Sequence, residues 1–314
     1  MLNRRILRIK VFKVLYGSVL AGNISLSEAE SELDLSCEST RDLYVFMLGI
    51  VSPLTMTAKE RIESARKKFN PTEEERNPNT KFADNALAKL LDEDPDFAKA
   101  MSKRKFSWEQ YDLFLKKIYS SICEKDYFKE YMASGTASLA EDCRLFTRIF
   151  EEEFVDSVEL EQILEDKSIW WNDDLAYSLT YCCRTLEHLA KGGRWELPPL
   201  YQSDMKKDAR MESDKQFAHK LLQNAFAGKQ RYSSMISEAV SNWDQDRIVS
   251  TDMALIIAGL AEAENFPTIP VKVTINEYVE ISKYYGTPKS SIFVNGLLDR
   301  LIQKLADDGK IRKI

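Results

Sequence analysis

Apolar residues in this chain return every three or four positions far more often than every second one, the spacing of amphipathic helices rather than strands. The clearest case is IPVKVTINEYVEISKYYGTPKSSIFVNGLLD, from Ile269 to Asp299. Within it Thr274-Ile275-Asn276-Glu277 fits a capping box, with Thr274 capping a first turn and Glu277 reaching back. A helix is therefore predicted from Thr274 to Gly286, with Pro288 beyond its exit. Ser290 offers a second N-cap, and Phe293, Leu297, Leu301 and Leu305 make one apolar stripe on the helix that follows. Gly296 lies inside that helix, where glycine costs about 1 kcal/mol against alanine, so a close approach is expected there.

The same reading covers the rest of the chain. Residues 1–22 form a helix stopped by Gly22-Asn23, and Ser25 or Ser27 starts another, with Glu28 and Glu30 in its first turn. An apolar run in 39–57 breaks near Pro53, and 69–81, with Pro71 and Pro78, reads as a loop. Helices are predicted over 81–91, 107–132, 138–152, 157–164 and 173–190. A crossing linker spans 192–208. Further helices follow at 213–227, 232–240 and 252–264, with a turn at 242–247 and a fraying tail from Lys310. With glycine scarce (11 in 314 residues) and β-branched alternation rare, the fold class is all-α.

Composition narrows the function more by exclusion. Hydrophobic residues make 44% and charged residues 30% of the chain, the balance of a soluble protein. No apolar run reaches membrane-spanning length, and Lys10 and Lys13 interrupt the apolar residues that a signal peptide would need. Cys37, Cys123, Cys143, Cys182 and Cys183 are odd in number and contain no C-x-x-C, which fits reduced thiols in a cytoplasm. His188 and His219 are the only histidines. There is no phosphate-cradling glycine loop, no nucleophile elbow and no metal-spaced Cys/His cluster. Neither an enzyme nor a cofactor or metal is expected.

The first helix carries the candidate chemistry. Arg4, Arg5, Arg8, Lys10 and Lys13 occur in it, and no acid precedes Glu28. On a helical wheel Arg5, Ile9, Phe12 and Tyr16 share a stripe flanked by Arg4 and Arg8, while Leu7, Val11 and Val14 face a core. Guanidinium groups pair with phosphates and rings stack on bases, so this face suits a nucleic acid; a solvated basic face is the alternative. The net charge of -6 makes any basic surface local. Residues 141–174, with twelve acids and three bases, would repel RNA and should face away from it.

Two sequence words resemble the NusB family of transcription antitermination factors. They are IPVKVTINEYVEISKYYG with FVNGLLD near the C-terminus, and Arg4-Arg5-Ile6-Leu7-Arg8 through Val14-Leu15-Tyr16 near the N-terminus. The resemblance covers about 1–22 and 212–306, with about 190 residues between, which marks a long form with a large middle insertion. It implies a NusB-like helical bundle made of 1–22 and 206–314, with an inserted helical region at 23–205. It also implies a non-catalytic, cytoplasmic factor that binds boxA-type single-stranded RNA together with NusE, a small-subunit ribosomal protein, in the RNA polymerase antitermination complex. Carried onto this chain, the RNA-binding residues would be Arg4, Arg5, Arg8, Phe12, Tyr16, Lys289, Ser290, Phe293 and Asn295. Asp252 and Glu262 would face NusE. Lys289 stands where compact relatives often have an acid, and Ile292 where they often have a base. The alternatives are a scaffold of this fold that no longer binds RNA and, in the enzyme class, an RNA methyltransferase carrying such a domain. The middle segment lacks the glycine loops and strands the latter requires.

Overall fold

The computed structural model describes residues 2–22, 24–171, 173–198, 201, 213–240, 249–311 and 313. Among these the chain is helical, with no strand, so the fold class is all-α. The turn expected at 242–247, and positions 199–200 and 202–208 of the expected linker, lie outside the described residues. The helices in order are α1 (Arg4–Ala21), α2 (Leu26–Leu48), α3 (Val51–Arg66), α4 (Glu73–Arg76), α5 (Ala86–Asp92), α6 (Pro95–Arg104), α7 (Asp112–Glu124) and α8 (Asp126–Ala133). They continue as α9 (Leu139–Ile149), α10 (Val158–Lys167), α11 (Leu175–Ala190), α12 (Asp214–Ala239), α13 (Ser250–Asn265), α14 (Val271–Tyr285) and α15 (Ser290–Asp307). Two compact units result: Met1–Glu38 with Pro199–Ile314, and Ser39–Pro198. The boundaries expected at 22/23 and 205/206 stand beside those of the compact units, which fall inside α2 and at 198/199.

The first unit is organised around α13. Every residue from Ala254 to Ala263 is buried, the pattern of a helix enclosed on all sides. Around it stand α1, α12, α14 and α15, so the first helix meets the C-terminal ones across most of the sequence. Gly259 permits a close approach: a methyl group there would lie 2.8 Å from the Leu298 side chain. α1 starts where the Asn3 side chain accepts the Ile6 N–H at 2.8 Å. It stops at Gly22, whose φ of 79° favours glycine.

Several predicted boundaries move. The two helices expected over 213–227 and 232–240 are one, α12, because the Tyr232 ring packs where a side chain on Gly228 would be. Thr274 is no cap, since α14 begins three residues earlier and Thr274 is buried inside it. Ser290 caps by a different route than expected: its hydroxyl accepts the Thr287 N–H at 2.8 Å, and Lys289 occupies the cap position itself. A methyl group on Gly296 would meet nothing within 4 Å, so none of the described residues makes the close approach its position suggested.

The second unit is held by aromatic residues. Trp108 stacks on Phe46 with ring centroids 4.3 Å apart, and its indole N–H donates to the Phe46 carbonyl at 2.9 Å. Trp171 packs on Phe46 and Phe106 and donates to the Ser39 carbonyl at 3.0 Å. The break expected near Pro53 falls at Gly49-Ile50 instead; Pro53 sits in the first turn of α3, where a missing N–H costs no helical bond. The helix expected over 107–132 is interrupted at Lys125, which is extended at ψ 142°. α6 occupies a stretch for which no helix was predicted, although Asp94 accepts the Phe97 N–H and Pro95 opens the first turn. In the expected loop at 69–81, Thr72 and Glu75 complete a capping box on the short α4.

Candidate nucleic-acid interface

Packing of α1 against α12 and α13 decides which of its basic residues reach solvent. Leu7, Val11, Val14 and Leu15 are buried, as are Arg8, Lys10 and Phe12. The buried face is therefore wider than the wheel suggested. Arg5, Ile9, Lys13 and Tyr16 are left along the open side.

Arg8 is only 4% exposed because α13 supplies a carboxylate for it. Its Nε and Nη2 donate to Glu262 at 2.7 and 3.0 Å, and Glu262 is itself fully buried. Thr274 also donates to Glu262, at 2.8 Å. The third nitrogen of Arg8 reaches Glu277 at 3.4 Å. This is a closed, hydrogen-bonded ion pair that leaves little of Arg8 and none of Glu262 at the surface of the free chain.

Arg5 differs by one exposed edge. Its Nε and Nη2 donate to Glu277 at 3.0 and 2.7 Å, while half of its side-chain surface remains open. The Arg5 hydrogen bond holds the Glu277 carboxyl below its usual range, against the effect of burial. Arg4 lies with its guanidinium 4.0 Å above the Phe217 ring, and Lys220, one turn along α12, lies 4.8 Å from the Phe266 ring. Phe217 and Phe266 meet edge to face at 5.1 Å. Together Arg4, Arg5, Lys220 and these two rings line an open groove of about 870 Å³, with the Pro267–Pro270 turn also in its wall. Phe217, Lys220 and Phe266 line this groove and were missed by the sequence reading. The i, i+3 spacing of Phe217 and Lys220 on α12 was visible, but only the packing of α12 on α1, and of Phe266 at the end of α13 against Phe217, gives it meaning.

The aromatic residues separate similarly. Phe12 is buried against Tyr285, with centroids 5.3 Å apart, and thus serves the core. Tyr16 is half-buried, 6.2 Å from Phe12, and Lys13 lies 5.6 Å over Tyr285. At the start of α15, Lys289 and Asn295 are exposed, Phe293 is half-buried and Ser290 is buried. Asp252 lies at the start of α13 with 3% exposure; burial pushes its carboxyl up, and a hydrogen bond from Ser290 pulls it partly back. Like Glu262 it lies beneath the surface of the free chain.

Among the described residues no three metal-ligating side chains cluster, and no helix is long and apolar enough to cross a membrane. What the fold and groove define is an all-α protein whose N-terminal helix offers cations and rings beside its C-terminal helices. The sequence pattern of the NusB family matches residues 195–303. A "Transcription antitermination protein NusB" of Methylacidiphilum infernorum is 34% identical over 109 residues, covering 35% of this chain and 69% of that protein. The proteins of the same name from Alkaliphilus oremlandii and Salinibacter ruber are 32% and 33% identical over 93 and 101 residues. These matches cover 30% and 32% of this chain, and 67% and 63% of the relatives. The chain belongs to the NusB family. It spans a little under two thirds of the Salinibacter ruber relative's length. No solved structure gives a significant match.

Proposed function

We propose that this protein is a non-catalytic, cytoplasmic transcription antitermination factor that binds boxA-type single-stranded RNA together with NusE in the RNA polymerase antitermination complex. The observation that carries this reading is the groove in which Arg4, Arg5 and Lys220 stand beside Phe217 and Phe266. A strand backbone would be neutralised by the cations while bases lie against rings, the usual economy of single-strand recognition. Arg5 and Lys13 would meet phosphates and Tyr16 a base. Lys289, Ser290, Phe293 and Asn295 would extend the contact along the start of α15. Arg8 and Glu262 act from below, fixing α1 on α13. Glu277 has a distinct part: a phosphate reaching Arg5 competes with the carboxylate already bound there. NusE remains the proposed protein partner, with Asp252 and Glu262 shaping its surface from beneath rather than touching it.

The ion pairs of Arg5 and Arg8 favour a second reading, a scaffold of this fold that has lost RNA, because they neutralise two of the three arginines of the first helix. Anisotropy of a labelled boxA oligonucleotide, titrated with the protein alone and with NusE, separates the two. Antitermination predicts RNA binding that NusE tightens, and NusE binding that RNA tightens by the same factor. No RNA binding in either titration would leave the scaffold.

A further inference from the structure

We propose that the second unit carries a docking groove for a basic, amphipathic segment of another protein. The groove runs beside α3, α6 and the start of α7 and has a volume of about 580 Å³. Its floor is apolar and fixed: Leu48, Leu91, Phe97, Trp108 and Leu115 are all buried. Its lip is soft. Met56 is 51% exposed, and the Met101 thioether lies over Gly49, whose missing side chain makes room for it; a methyl group there would sit 2.6 Å from the Met101 methyl. Methionines at a groove edge adapt to the shape of an incoming apolar side chain.

Charge names the occupant. Four carboxylates line this groove, from Glu60, Asp92, Glu109 and Asp112, and no cation does. Asp92 accepts a hydrogen bond from Ser52 at 2.6 Å, and Asp112 pairs with Lys116 at 2.6 Å on the outer, exposed side. Glu60 and Glu109 are exposed. An apolar trough with an acidic rim repels a nucleic acid and suits a helix that buries leucine-like anchors while its lysines or arginines meet the rim. The acidic rim also disfavours a second copy of this chain at the same face.

The test uses the full chain and two fluorescein-labelled peptides with the same leucine stripe at i, i+3, i+4 and i+7, one flanked by lysines and the other by glutamates. The basic peptide should bind, more weakly as salt rises, and the acidic one should bind at least about tenfold more weakly. Binding of the basic peptide should shift the ¹³C-methyl resonances of Met56 and Met101. Met56→Glu, at an exposed position, should weaken the basic peptide by about tenfold, and Glu60→Lys with Glu109→Lys should reverse the preference between peptides. Circular dichroism of both variants shows that the fold is kept. The proposal is overturned if neither peptide binds, if both bind equally, or if the methionine methyls do not move. It also fails if the wild-type chain self-associates through this groove, seen as a mass that rises with concentration and falls in Met56→Glu.

Discussion

The groove beside α1 is lined by Arg4, Arg5, Arg8 and Lys220 against a single carboxylate, Glu277, whereas the groove beside α3 is lined by four carboxylates and no cation. Both have aromatic residues in their walls. The difference follows the division of the chain: Ser39–Pro198 holds 23 basic and 30 acidic residues, and the remainder holds 21 and 20. The net charge of -6 is thus the sum of a nearly neutral unit and an acidic one. Overall acidity is no argument against an RNA surface when the acid belongs to a separately compact part.

Within the basic groove a second contrast lies between Arg8 and Arg5, one turn apart with similar carboxylate partners but opposite exposure. Removing Arg8 strands Glu262 as a buried charge, and loss of one member of such a pair costs about 3–5 kcal/mol. Arg8→Ala should therefore show a large fall in the urea midpoint. Arg5→Ala removes a half-exposed pair and should cost at most about 1 kcal/mol. Equal losses in the two variants would break the contrast.

Effects on RNA should run the other way. Glu277→Gln weakens the hold on Arg5, so it should tighten RNA binding modestly while slightly lowering stability. Weaker RNA binding in this variant, with its fold intact, would mean that Glu277 positions Arg5 rather than competing for it. The smallest effect is in pH. The folded protein holds the Glu277 carboxyl below its unfolded value, so its contribution to stability is full above the unfolded value. That contribution is lost as pH falls through the lower, folded value. Urea unfolding of wild type and Glu277→Gln should accordingly converge on acidification; a gap that widens toward acid would reverse the assigned sign.

Much of this was legible from local pattern. Gly22 as a stop, the start of α2 beside Ser25 and Glu28, and the apolar stripe of α15 all follow from rules acting within a few residues. Thr274 and Glu277 show where such rules mislead. A Thr-x-x-Glu spacing fits a cap, but the same spacing puts both side chains on one face of a helix. Here that face meets Glu262 and two of the arginines of α1, Arg5 and Arg8. Arg8 shows the converse: a wheel places it on a flank, and only a carboxylate from a helix 254 positions away makes its burial tolerable. Phe217 and Lys220 come to line the α1 groove for the same long-range reason. Gly296 is exposed with open space beside it, and nothing among the described residues accounts for it.

The central claim is that the open cations of the α1 groove neutralise RNA phosphates, and salt dependence tests it most directly. Binding of boxA RNA in the presence of NusE should be measured across a salt series for the wild type and for Arg5→Ala with Lys220→Ala. Each lost phosphate contact on a single strand removes roughly 0.7 from the log–log slope, so the double variant should be flatter by about 1.4. An unchanged slope in a folded double variant would contradict the account and leave this face merely solvated.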